Sequence, residues 1–531
     1  MKKLFVPKLI LIFVIFIIPE LTISQLYDRD LQKIDMTWKI ISTFYVDTTN
    51  PSKLAEEAIN GMLKTLDPHS IYFSKEEVQR MNEPLNGSFE GIGIHFLILH
   101  DTLMVVQTIP GGPSEKVGVQ AGDRIVKVDS SNIAGTGLKN SDVYKLLKGK
   151  KGTVVNISVK RKNNRNLIQF KITRDKIPIY SIDAAYMAAP DIGYIKVNKF
   201  AGTTYDEFCD AYKKLEKYNM KDLILDLRGN GGGYMKAAID IADEFLKKKK
   251  LIVFTEGIAS PRRNYWSSSK GKFDDGRLVI LIDEGTASAS EIVSGAIQDW
   301  DRGVIIGRRS FGKGLVQRPF TLPDGSMIRL TTSKYFTPSG RCIQKPYDEG
   351  KDAYSMELYE RYKHGEMVSE DSIKLNKSLV YKTLKNGRKV FGGGGIMPDY
   401  FIPADTSLYS DYYQQIVRNG VLNQFVTSYA DVNRKDLENN YPDFDLFKTQ
   451  YMVGDELLKS LISSADKENI EFNEEQFNVS KDLIKTQIKA LIARDLWTSS
   501  EYFEIINPVV NTYQEAIEIL QNKDTYNNLL K

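Results

Sequence analysis

The chain has 531 residues, with 72 Lys or Arg against 68 Asp or Glu and a net charge of +4. That balance points away from nucleic acid or any strong polyanion as a partner, and the length suffices for several domains. Its two cysteines, Cys209 and Cys342, exclude a disulfide framework and sit in no metal-like cluster.

The chain begins MKKLFVPKLILIFVIFIIPELTISQ. Basic residues, an apolar core from Leu9 to Ile18 and a polar end form a secretory signal pattern, too short for a full membrane span. Thr22-Ile-Ser24 is an imperfect cleavage site. Residues 1–24 are therefore expected to be a signal peptide or, alternatively, an uncleaved membrane anchor. Either way the bulk of the chain is exported, to the periplasm or cell envelope. With an anchor, its N-terminus associates with the inner membrane. Residues 25–87 read as helices: Leu54–Lys64 has helical spacing, and Asp67-Pro68 ends it. Residues 88–175 carry short alternating strands separated by glycine turns, with a helix over Ser141–Leu147.

Between 176 and 345 strands and helices alternate, which predicts an α/β core. Leu223–Leu227 reads as a strand. The loop after it, Arg228 to Gly233, is glycine-rich and can aim backbone N–H groups at an oxyanion. It is not a dinucleotide fingerprint, because Tyr234 stands where that motif needs glycine. Val279–Ile282 is a short apolar strand. From Ser288 on, Ile292, Val293, Ala296, Ile297 and Trp300 recur at helical intervals. Ser288 thus sits where strand gives way to helix, with the Ala289 N–H next to any charge developing there.

A nucleophilic serine needs a base. The four histidines, His69, His95, His100 and His364, lie outside this stretch. Lys313, between Gly312 and Gly314 in an apolar context, can replace histidine if burial keeps its amine neutral. Leu315–Leu322 reads as a strand, and Gln317 lies four residues beyond Lys313. In an extended segment the two face the same way, so Gln317 can hold the amine. Two bland readings compete. Ser288-Ala-Ser-Glu291 fits a capping box. Gly307 to Lys313 mimics a phosphate loop, but Gly314 stands where Ser or Thr should hold magnesium. No HExxH occurs, and no metal or other cofactor is expected.

The segments TASASEI around Ser288, FGKGLVQ around Lys313 and Tyr335-Phe-Thr-Pro-Ser-Gly-Arg341 resemble the carboxyl-terminal processing, or tail-specific, proteases. Leu66-Asp-Pro-His-Ser-Ile-Tyr-Phe73, Phe89-Glu-Gly-Ile-Gly93 and Leu225 to Gly233 extend the resemblance. It covers roughly residues 26–345 plus Gly392 to Pro403. The resemblance implies Ser288 as nucleophile, Lys313 as base and Gln317 completing the site. It also implies Gly232 or Gly233 as the second oxyanion donor beside Ala289. Residues 88–175 resemble a PDZ domain, with Gly91, Ile92 and Gly93 as its carboxylate-binding loop.

The implied fold is multidomain α+β: an α/β serine-protease core of the crotonase/ClpP-like kind over 176–345, an inserted PDZ domain and an N-terminal helical region over 25–87. Residues 346–391 depart from the family as a polar insertion, with Tyr354–Tyr362 helical, and a solvated surface segment is expected there. Residues 392–405 return to the core, and 406–531 form a helical C-terminal extension with helices such as Ser480–Trp497 and no readable role. The implied function is an exported serine endopeptidase cutting proteins near their C-termini. Its implied partners are protein or peptide substrates with free C-termini, and an activating adaptor. The rival is a non-catalytic PDZ scaffold or chaperone of the envelope.

Overall fold

Residues 20–162 and 164–531 are described by the structure, a computed structural model. The chain divides after Tyr72 into two units. Most of the expected signal or anchor segment, 1–24, lies outside the described residues. A helix, Glu20–Phe44, begins within its last positions. Among the described residues no helix is long and apolar enough to cross a membrane.

In the first unit the helix expected near Leu54 spans Pro51–Lys64. Asn50 starts it by accepting from the Lys53 amide at 3.1 Å, and Pro51 fits the first turn, where no N–H is needed.

The second unit opens its sheets with the strands Ile94–Leu99, Thr102–Thr108, Arg124–Val128, Val154–Lys160 and Ile168–Thr173, antiparallel in that order. Val155, Ile157 and Val159 alternate inward along one strand and meet Val105, Ile125 and Ile172 in a core. The helix Asn140–Leu147 adds Val143 and Leu147 to it.

A six-stranded sheet then runs in the order Ile182–Ala189, Ile192–Val197, Asp222–Asp226, Leu278–Ile282, Val304–Gly307 and Tyr400–Phe401. Its first pair is antiparallel and the rest are parallel. Alternate residues of each strand serve opposite faces. Leu225, Ile280, Ile282 and Ile305 pack on helices Thr204–Glu216, Met235–Phe245 and Ala289–Asp299. Ile224, Val279, Leu281 and Ile306 pack on Tyr513, Ala516, Ile519 and Leu520 of the helix Asn511–Gln521. A parallel sheet needs cover on both faces, and the C-terminal extension supplies the second. Its earlier helices, from Asp411 to Ile506, share a core of their own around Ile416, Phe447, Leu461 and Ile488.

The segment 346–391 is mostly solvent-exposed, as expected, but it is folded and anchored by a few buried side chains. It forms a helix, Lys351–Lys363, and a hairpin of Val380–Lys382 with Lys389–Phe391. Tyr354, Arg361, Glu366, Thr383 and Val390 are all buried. Charged composition suggested solvent, but these charges pair with one another, which composition does not reveal.

Candidate active site

The strand Leu278–Ile282 ends in a turn pinned by its own side chains. Thr286 Oγ1 accepts from the Asp283 amide and donates to Leu227 O, both at 2.9 Å. Asp283 Oδ1 accepts from the Gly229 amide at 2.8 Å. The chain then reaches Ser288 with φ 57° and ψ −115°. Such a left-handed non-glycine residue costs about 1–3 kcal/mol and persists only where its surroundings impose it. Here they do: the Tyr335 hydroxyl donates to Ser288 O at 3.2 Å, and the Ala287 amide donates to Asn230 O at 3.0 Å. The helix Ala289–Asp299 follows at once, so Ser288 is its N-cap. As the capping pattern predicts, Glu291 reaches back to the Ser288 amide at 2.8 Å.

Glu291 does more than cap. It is fully buried, and its carboxylate takes four donors. Oε2 accepts from the amides of Ser288 at 2.8 Å and Lys313 at 2.9 Å. Oε1 accepts from the Gly312 amide at 2.7 Å and Ser310 Oγ at 2.5 Å. Burial pushes this carboxyl above its ordinary value, while the four donors pull the other way. One carboxylate thus joins the Ser288 turn to the Lys313 loop.

Lys313 is half-buried, in a loop held on both flanks. The Lys345 amide donates to Gly312 O at 2.9 Å, and the Gly314 amide donates to Gln344 Oε1 at 2.8 Å. A side chain at Gly314 would lie 2.9 Å from the Gln344 nitrogen, so only glycine fits. Gln317 lies in the strand Leu315–Thr321. The alternation expected between Lys313 and Gln317 crosses the start of that strand: Lys313 precedes it, and the irregularity beside Gln317 falls on the partner strand, where Thr332 is skipped. Gln317 Nε2 donates to Thr331 Oγ1 at 3.3 Å, which leaves Oε1 as its atom for an amine.

The glycine loop lies against the serine. A Cβ at Gly232 would stand 2.8 Å from Ser288 Cβ and 3.0 Å from the Ala289 nitrogen. Of the two glycines expected as oxyanion donors, Gly232 is already engaged: its amide donates to Asn230 Oδ1 at 2.9 Å. Its carbonyl accepts from the Phe200 amide at 2.9 Å. The peptide is trans, so the Gly233 N–H points away from Phe200. Below the loop, the buried Asp226 pairs with Arg228 at 2.6 Å and accepts from the Tyr194 hydroxyl at 2.6 Å. Burial alone would raise this carboxyl, but Arg228, Lys196 and Tyr194 hold it well below the ordinary range. Sequence reasoning gave Glu291 only a capping role, and Tyr335, Asn230 and Asp226 entered only as members of motifs that carry the resemblance, with no role of their own.

Gly91 ends the strand Ser88–Gly91, which pairs with Asp175–Pro178, Ile92 packs into the core of the antiparallel sheet, and Gly93 leads into its first strand. Ile92 O accepts from the amide and hydroxyl of Ser114, at 3.1 and 2.7 Å, and Gly93 O accepts from the Ile109 amide at 3.0 Å. With those carbonyls turned inward, the N–H groups of Gly93 and Ile94 face the other way. The adjoining strand, Ile94–Leu99, is an edge strand, and its Phe96 ring meets Tyr144 of the Asn140–Leu147 helix edge-on at 5.7 Å.

Comparison with known proteins matches several parts of the chain. Residues 191–349 match the family model of peptidase family S41, 104–161 a PDZ domain, 20–77 the activating protease CtpB N-terminal domain and 412–498 a family of unknown function. The chain is 34% identical over 321 residues to carboxy-terminal processing protease CtpB of Bacillus subtilis (strain 168), covering 60% of this chain and 66% of that one. It is 36% identical over 316 residues to "Probable CtpA-like serine protease" of Staphylococcus aureus (strain N315), covering 59% and 62%. The chain therefore spans just under two thirds of the length of these relatives. A solved photosystem II D1 C-terminal processing protease is 30% identical, covering 58% of this chain and 88% of that one, with a TM-score of 0.33. The S41 and PDZ matches and the two named bacterial relatives lead to one conclusion: residues 191–349 belong to peptidase family S41, and the chain is similar to the carboxy-terminal processing proteases.

Proposed function

We propose that this chain is an exported serine endopeptidase that cuts protein substrates near their C-termini, with Ser288 as nucleophile and Lys313 as base. The observation that carries the reading is the shared Glu291 carboxylate, which accepts from both residues' amides and so ties their backbones together. In this mechanism neutral Lys313 takes the proton from Ser288 Oγ as that oxygen attacks the scissile carbonyl carbon. The amides of Ala289 and Gly233 receive the negative oxygen that forms. The lysine then gives its proton to the leaving amine. Water, deprotonated by the same lysine, hydrolyses the acyl-enzyme. Gln317 Oε1 orients the amine. The parallel sheet with helices on both faces is the core that such a crotonase/ClpP-like enzyme requires.

Substrate selection falls to the PDZ region. The outward N–H groups at Gly93 and Ile94 are placed to take a terminal carboxylate, and the free edge of Ile94–Leu99 can accept the substrate as an added strand. The partners are protein or peptide substrates with free C-termini. The basic-then-apolar N-terminus supports export to the periplasm or envelope. The test is to incubate the purified chain with an unfolded protein and identify the fragments by mass spectrometry. Cuts clustered near the C-terminus, absent with Ser288→Ala, are expected. An intact substrate would leave the PDZ scaffold as the better reading.

A further inference from the structure

The loop that carries Lys313 has little stiffness of its own, because glycine stands on either side of the lysine. Its amides are held by Glu291. Its carbonyls, one turn back, are held by a different part of the chain. Arg361, on the helix Lys351–Lys363, donates through Nη2 to Arg309 O at 2.7 Å and through Nη1 to Ser310 O at 3.1 Å. Its Nε donates to Glu366 Oε1 at 2.8 Å. Arg309 makes a two-point pair with the same carboxylate, both bonds at 2.7 Å, and its Nη1 donates to Gly394 O at 2.7 Å. All three charged residues are buried. Phe311, between them and Lys313, meets Tyr354 of the same helix edge-on at 6.0 Å.

These contacts are specific in direction. A guanidinium presents five donors in a rigid fork, so two carbonyls and a carboxylate engaged together fix its plane. Residues 309 and 310 cannot shift without breaking that fork. Ser310 Oγ, in turn, is one of the four donors on Glu291. A continuous path of hydrogen bonds therefore runs from Arg361 through Ser310 to the carboxylate that holds the Ser288 and Lys313 amides.

We infer that the 346–391 segment is a positioning element for the catalytic base: Arg361, acting through the carbonyls of Arg309 and Ser310, sets where the loop presents Lys313. This inference rests on the reading of Ser288 and Lys313 as the catalytic pair. Arg361 touches no reacting atom in this account. Glu366 is required because its carboxylate lies between two buried guanidiniums and, with Glu357 at 3.6 Å from Arg309, offsets their mutual repulsion.

The test uses the full-length protein with Arg361→Ala, Arg361→Lys and Glu366→Gln. Four readouts apply: kcat and KM on one peptide, the pH profile of kcat/KM, thermal unfolding, and hydrogen exchange of the 309–314 amides. For Arg361→Ala we expect kcat to fall by about 10- to 100-fold, the loss of one or two hydrogen bonds' worth of positioning, with KM little changed. The pH limb should move, and the Gly312 and Lys313 amides should exchange faster. Arg361→Lys, which keeps the charge but loses the fork, should fall between parent and alanine variant. If the alanine variant does not fold, the lysine variant carries the test. Unchanged kcat and exchange in a folded variant would overturn the inference, as would a loss confined to KM. A parent with no peptidase activity would remove the catalytic reading instead, and unchanged exchange would then still overturn the role given to Arg361.

Discussion

The backbone amides of Ser288 and Lys313 donate to one oxygen atom, Oε2 of Glu291, at 2.8 and 2.9 Å. The two residues are far apart in sequence, yet their nitrogens lie within the sum of those two lengths of each other. A buried carboxylate is stable there only because four donors surround it.

Glu291→Gln keeps the shape but removes the charge and places an NH2 where N–H donors converge. Charge-assisted bonds contribute about 1.5–3 kcal/mol each, so a loss in kcat on the order of 10²- to 10³-fold is expected. Steady-state kinetics on a peptide would check it. A variant within threefold of the parent would mean the shared carboxylate is dispensable.

Titration of Glu291 gives a second prediction. Its folded value is raised by burial above the unfolded one, so the native state binds more protons than the unfolded state between the two. Its contribution to stability therefore falls as pH rises from about 4.3 through the folded value. Urea unfolding at several pH values should show the parent losing stability relative to Glu291→Gln across that window. A constant difference would contradict the assignment.

How much of this was legible in sequence depended on whether the signal was local. Ser288 at a strand–helix junction and Lys313 between glycines are visible in short windows, and the structure puts their backbones on one carboxylate. The second role of Glu291 depends on contacts with Ser310 to Lys313, which no local pattern encodes. Lys313 lies before the strand Leu315–Thr321, so strand alternation alone does not fix how its side chain stands relative to Gln317. Arg361 and Glu366 looked like surface charges because burial of mutually paired ions leaves no compositional trace. Amphipathic helices were evident after 406, but an apolar face does not name what it covers.

That cover yields a third prediction. Leu520 is fully buried against the six-stranded sheet. Leu520→Ala should cost about 2–5 kcal/mol, seen as a lower Tm, although the residue is remote in sequence from Ser288. An unchanged Tm would mean that the C-terminal helix does not support the core.

A fourth concerns the carboxylate loop. Amidating a peptide's C-terminus removes the negative oxygens that the Gly93 and Ile94 N–H groups would receive. One charge-assisted bond of about 1.5–3 kcal/mol corresponds to roughly 10- to 150-fold in affinity. Cleavage of matched free and amidated peptides should differ by that order. Equal rates would make the PDZ region a scaffold, with the dyad untouched.

The central claim is that Ser288 and Lys313 act as one catalytic unit. Its most direct test is kcat/KM for Ser288→Ala, Lys313→Ala and the double variant on one peptide, with folding checked by thermal unfolding. The account predicts that each single variant loses on the order of 10⁴-fold or more and that the double variant is no worse. A folded Lys313→Ala enzyme cutting at near the parent rate would contradict it.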